Sequence, residues 1–119
     1  QMCIRDRFKT LKNHPDSARM GMIATHVGIV RGHSLDGNEV KGIEVEFDHN
    51  VLEEIINDIK SMDGIVDVTV ETHPGRLEVG DEIMAVAVGG DTREHVFPAL
   101  IRAVDRIKRE CTTKREFYR

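Results

Sequence analysis

The side chains best equipped for chemistry in this sequence are its cations. The last 18 residues hold Arg102, Arg106, Lys108, Arg109, Lys114, Arg115 and Arg119 against Asp105, Glu110 and Glu116. Helical spacing gathers Arg102, Arg106 and Arg109 on one side and sets Lys108 beside Asp105. Such a cluster reads either as a solvated face with cations favourably placed at a helix C-terminus, or as a site for an anionic ligand. Arg31 opens a loop rich in turn formers, and Arg93 follows Gly89-Gly90-Asp91-Thr92 at the start of a helical pattern. A planar guanidinium matches a phosphate, and backbone N–H groups at a helix start add to that preference. Taken singly, each arginine also fits a surface ion pair.

Other candidates carry less. The six histidines, His14, His26, His33, His49, His73 and His95, show no ligand spacing such as HxxxH, so no metal site is expected. His33 lies in the same loop as Arg31. Glu44 and Glu46 share one side of an alternating segment and read as solvated. Gly89-Gly90 lacks the lysine and hydroxyl of a phosphate loop. Cys3 and Cys111 stand at opposite ends without CxxC or zinc spacing, which points to a reducing cytoplasm rather than a disulfide framework.

The elements that must position these groups follow from hydrophobic period. Residues 8–18 suggest a short helix, with Pro15 awkwardly inside it. Residues 20–30 form an apolar run that reads as a strand buried on both faces, with Gly28 marking a bulge or a close backbone approach. Residues 31–39 collect turn formers and read as loop. Val40–Phe47 alternates as a strand with one wet face. Asn50 and Glu53 suggest a cap for a helix carrying Val51, Leu52, Ile55, Ile56, Ile59 and Met62, ended by Gly64. Ile65–Val70 alternates again, a short strand is expected at 76–79, and Glu82–Val88 reads as a buried strand. Asp91 and Glu94 suggest the cap of a second helix with Phe97, Leu100, Ile101, Val104, Ile107 and Cys111 on one stripe. Pro98 either kinks that helix or marks its true first turn.

The order β-β-α-β-β-α predicts an α+β fold, a mostly antiparallel sheet covered on one face by two main helices. At 119 residues the chain makes one domain, expected over 20–119, with 1–19 a leader or fragment boundary. Charged residues make up 32% and hydrophobic ones 39%, which excludes an intrinsically disordered composition. The net charge of −4 argues against a nucleic-acid backbone as main partner. No apolar run approaches a membrane span.

In order, Val27-Gly28-x-Val30-Arg31-Gly32, Gly75-x-Leu77-x-x-Gly80-Asp81-Glu82-Ile83, Val86-x-Val88-x-x-x-x-Arg93-x-x-x-Phe97 and Asp105-x-x-Lys108 resemble the large, catalytic subunit of molybdopterin synthase. The likeness covers residues 20 to 116. It implies an α/β-hammerhead-like fold and an enzyme of molybdenum-cofactor biosynthesis, a sulfurtransferase. That family converts cyclic pyranopterin monophosphate to the dithiolene, taking sulfur from a thiocarboxylate at the Gly-Gly end of a small ubiquitin-like subunit. Carried over by position, Lys108 and Lys114 are its two catalytic lysines. Arg31, Thr92, Arg93 and Glu116 fall at substrate-binding positions. A homodimer with one small subunit at each end is implied, and no cofactor enters the expectation. Two departures stand out: Thr92 replaces a usual histidine, and Lys114 follows Cys111-Thr112-Thr113 in place of a proline-and-tryptophan segment. The alternative reading is a non-catalytic module that keeps the scaffold and binds an anion or a partner.

Overall fold

The computed structural model describes residues 4–118, with side chains from Phe8 to Tyr118, so Cys3 and Arg119 lie outside the described residues. The chain runs α1 (Ile4–Lys12), a 3-10 turn (Ser17–Arg19), β1 (Met22–Ile29), β2 (Val40–Phe47), α2 (His49–Lys60), β3 (Ile65–Thr72), β4 (Gly75–Glu78), β5 (Glu82–Gly90), α3 (Arg93–Arg106), a π turn (Ile107–Cys111) and β6 (Thr112–Tyr118). The strands form two antiparallel three-stranded sheets, in the orders β1-β5-β3 and β4-β2-β6.

The expected α+β class is met, with two differences in detail. The single sheet divides in two, because β6 pairs with β2 through residues the helical spacing had left as a tail. The first helix ends at Lys12 instead of continuing to residue 18, so Pro15 stands outside it and costs no helical hydrogen bond. Leu11 on α1 is wholly buried, and α1 packs across β3 and β5.

Burial explains the strand order. Met84 to Gly90 are all buried, as suits the central strand of a sheet covered on both faces. β1, expected to be equally buried, is instead the half-buried edge partner of β5. An apolar run alone does not tell a central strand from an edge strand. Its bulge falls between Gly28 and Ile29, at the expected glycine.

The main core lies between the first sheet and the two long helices, and includes Ile55, Ile59, Val86, Val88, Val96 and Ile107. A smaller core of Val30, Val40, Ile43 and Val45 belongs to the second sheet, and Phe47 packs against both. α2 starts earlier than Asn50, because the Asp48 carboxylate accepts from the N–H groups of Asn50 (3.0 Å) and Val51 (3.2 Å). Gly64 adopts φ +77° beyond the helix end, where a side chain would run into Asp91 and His95. α3 passes through Pro98 without a break, so Thr92–Phe97 is no separate turn. Arg106 ties the helices together, donating to Asp58 of α2 (2.7 Å) and to Glu110 (2.9 and 3.0 Å). No described helix is long and apolar enough to cross a membrane.

Candidate functional site

Residues of both sheets line one cleft of about 720 Å³ beside the β1 bulge. That is within the range of small-ligand sites, roughly 300–1,000 Å³. The first sheet contributes His26 to Ile29, Ile83 and Met84, the loop after β1 contributes Arg31 and His33 to Asp36, and the second sheet contributes Ile43 and Phe47. β6 runs along β2 with Thr112, Lys114 and Glu116 opposite Phe47, Val45 and Ile43. The strand period of two therefore puts these three side chains on the cleft face. The π turn delivers Lys108 beside the buried Ile107, at the point where α3 hands over to β6. One added residue per turn shifts the side-chain directions after α3, and such turns gather at functional sites.

Arg31, Lys108, Lys114 and Glu116 thus share one cleft although 85 residues separate the first from the last in the chain. Among the described residues, no ion pair involves Arg31, Lys108 or Lys114. The helix-face cations differ, since Arg106 pairs with Asp58 and Glu110, and Arg109 lies 3.9 Å from Asp105. The solvated-face reading fits that helix side, whereas Arg31, Lys108 and Lys114 line the cleft. Glu116, one of two carboxylates lining the cleft with Asp36 among the described residues, accepts a hydrogen bond from the Tyr118 hydroxyl at 3.2 Å. His33 also lines the cleft, held by an antiparallel bridge to Glu39.

Thr92 and Arg93 lie elsewhere. They follow Gly90 at the far end of β5, about 20 Å from Met84 at strand rise. The helix gives the same answer, since Arg93 and Lys108 stand about 22 Å apart along α3. Arg93 is exposed and lies 3.8 Å from Glu94, and Thr92 occupies the N-cap position without a side-chain capping bond. The cap role expected of Asp91 takes another form. Its carboxylate accepts from the Thr92 N–H (2.6 Å) and pairs with His95 Nδ1 (2.8 Å).

That clasp predicts a pH signature. The bond to Asp91, then its charge, raises His95 above its ordinary 6.5, and the bond to His95 leads the causes that hold Asp91 below 3.8. A raised histidine stabilises the fold fully below 6.5, and this fades as pH rises through the folded value. A depressed carboxylate stabilises above 3.8, and this fades as pH falls through its folded value. His95→Ala should therefore lower the melting temperature more at pH 5.5 than at pH 8.5 in thermal unfolding followed by circular dichroism. An equal loss at both pH values contradicts the clasp.

Sequence reasoning missed His26, whose ring forms part of the cleft wall. The available signal was a lone polar ring in the otherwise apolar run of β1. Cys111 is structural: its thiol donates to the Asp48 carbonyl at 3.3 Å and burial pushes its pKa up. The fold also brings together Glu71, His73 and Glu82, whose ligand atoms lie within 4.8 Å of one another, a grouping the spacing did not reveal. His73 Nδ1 bonds the Glu82 carbonyl at 2.9 Å and Nε2 is 3.7 Å from Glu71, an arrangement that an ion pair accounts for. A separate hollow of about 470 Å³ beside α1 offers, among the described residues, Lys12 and mostly apolar neighbours.

The family model described as MoaE protein matches residues 4–110. An uncharacterized protein of Methanocaldococcus jannaschii is 28% identical over 95 residues, covering 76% of this chain and 80% of its own. The solved molybdopterin biosynthesis MoaE protein from Burkholderia ambifaria is similar with a TM-score of 0.77 and 26% identity, over 100% of this chain and 81% of that one. A protein–protein complex of subunits 1 and 2 of molybdopterin-converting factor from Helicobacter pylori contains a chain similar at TM-score 0.72. Its identity is 16%, over 98% of this chain and 80% of that one, a likeness of fold alone.

Proposed function

The chain belongs to the MoaE protein family, the large subunits of molybdopterin synthase, and from that membership we propose that it catalyses sulfur transfer to cyclic pyranopterin monophosphate. The observation that carries this reading is the cleft in which Arg31, Lys108 and Lys114 meet without ion-pair partners among the described residues. Unpaired cations on the walls of a recess suit a phosphate and a thiocarboxylate, both anionic. In this reading Lys108 and Lys114 face the reacting atoms, Arg31 holds the phosphate, and Glu116 contacts the substrate from the same cleft wall. A lysine among other cations is also suited to acid–base or covalent work.

The sulfur donor is a small ubiquitin-like subunit whose Gly-Gly end enters the cleft. Glycines, lacking side chains, suit a narrow entry, and the exposed Leu35 (86%) and Ile29 (53%) offer apolar contact at its walls. Subunit pairing in the Helicobacter pylori complex supports such an assembly. Thr92 and Arg93 join the site when a second copy of the chain brings its own α3 start to the cleft, which makes the working unit a homodimer with two small subunits, acting in the cytoplasm.

Co-purification with a tagged small ubiquitin-like protein ending in Gly-Gly tests the reading. Stable capture, lost when that Gly-Gly is removed, is the expected result. No capture, together with retention of a phosphorylated ligand, favours the non-catalytic anion-binding module, for which the non-titrating hydroxyl of Thr92 speaks.

A further inference from the structure

His26 stands opposite Val86 and Gly28 opposite Met84 in the β1–β5 pairing, so its ring shares the face on which those two residues are buried. A polar ring on that face needs a partner, and Nε2 is enclosed with no hydrogen-bond partner among the described residues. Enclosed polar atoms are nearly always paired, so an unpaired one at a cleft wall calls for an explanation. A Cβ at Gly28 would lie 3.7 Å from Nε2, an ordinary van der Waals contact, so Gly28 flanks the ring at the cleft wall.

The ring also differs in charge from its neighbours. Burial, and then the charge of Lys108, push the His26 pKa down, so the imidazole is neutral near pH 7. A neutral imidazole carries one donor and one acceptor and no charge with which to hold a phosphate. It matches an uncharged heterocycle edge, which presents amide-like donors and acceptors. The cleft then has two parts, a cationic wall for anions and a neutral polar position for a ring.

We propose that His26 is a substrate-contacting residue whose Nε2 hydrogen-bonds the heterocycle of a phosphorylated pterin, and so sets which way round the substrate lies. The inference rests on the cleft being the pterin site. Arg31 and the lysines take the phosphate end, and His26 discriminates a pterin from a bare anion. A site built to hydrogen-bond a group rejects ligands lacking it, because its own polar atom is otherwise left unpaired.

Anaerobic calorimetry with cyclic pyranopterin monophosphate, and separately with inorganic phosphate, tests this in wild type, His26→Leu and His26→Gln. His26→Leu should weaken pterin binding by about 10- to 100-fold, the scale of one lost buried hydrogen bond. Its phosphate affinity should stay within about twofold, a difference that general damage to the cleft does not produce. His26→Gln, which keeps a donor and an acceptor, should recover part of the loss. If His26→Leu does not fold, as judged by circular dichroism, His26→Phe makes the same comparison with a flat apolar ring. Unchanged pterin affinity in the apolar variant, or an equal loss for phosphate, overturns the role of His26 and leaves the pterin reading standing. Wild type that binds phosphate but no pterin overturns both.

Discussion

Lys108→Ala should cut dithiolene formation by at least about 100-fold in a reconstituted reaction with cyclic pyranopterin monophosphate and a thiocarboxylated small subunit, the lower end of what a positioned proton-transfer group contributes. Lys108 is exposed on the π turn and pairs with no carboxylate among the described residues, so its loss removes no structural contact. The melting temperature should therefore stay close to wild type, as for surface substitutions away from caps and networks. Lys108→Arg restores the charge but not a titratable amine, and should remain inactive if the lysine does more than attract an anion. Full activity in Lys108→Ala would remove this side chain from the mechanism.

Ile107→Ala should be the converse case, with its main loss in stability. Ile107 is wholly buried in the main core, on the π turn that presents Lys108 to the cleft. Truncation to alanine leaves a cavity and should cost about 2–5 kcal/mol. Against a typical total of about 5–15 kcal/mol, that is a large share of what keeps a domain folded. Thermal unfolding should show a fall on the order of 10 °C or more. A melting temperature within a degree or two of wild type would mean that Ile107 is less tightly packed than its burial states. Because this side chain anchors the turn, residual activity at low temperature should also be reduced, though less than in Lys108→Ala.

These two neighbours show what was legible in the sequence. Of the three-to-four stripe Phe97, Leu100, Ile101, Val104, Ile107 and Cys111, the last three are buried, whereas Phe97 and Ile101 are exposed and Val96, Ala99 and Ala103 face the core instead. What hydrophobic spacing does not encode is the π turn after Arg106, since one extra residue per turn changes side-chain direction without disturbing the apolar count. β6 escaped for a related reason. Thr112 to Tyr118 is polar and charged, and its strand identity comes from pairing with β2, a long-range contact. Lys114 and Glu116 were therefore reached only through family resemblance, while their presence on the cleft face follows from register.

The glycine signals were local and so readable. Gly28 coincides with the register shift of β1, and Gly64 takes a positive φ beyond α2. The capping residue of α2 was misplaced by two positions, because Asp48 and Asn50 are both good caps and only the backbone path after Phe47 selects between them. Arg93 was grouped with the other cations on linear pattern, but a β-strand and a helix each carry it about 20 Å from the cleft. His26 enters the sequence reading only as one of six histidines without metal-ligand spacing, and spacing says nothing of how a ring is partnered. Only coordinates reveal that its Nε2 has no partner among the described residues.

The central claim is that one cleft between the sheets, walled by Arg31, Lys108 and Lys114, is where sulfur reaches a phosphorylated pterin. Anaerobic incubation of the wild-type chain with thiocarboxylated small subunit and cyclic pyranopterin monophosphate, read by mass spectrometry of the small-molecule product, addresses it most directly. The expected result is a product carrying two sulfurs, with two thiocarboxylates consumed for each molecule formed and no product from Lys108→Ala. Intact thiocarboxylate and unchanged pterin, in a mixture where the two proteins are bound to one another, would contradict it.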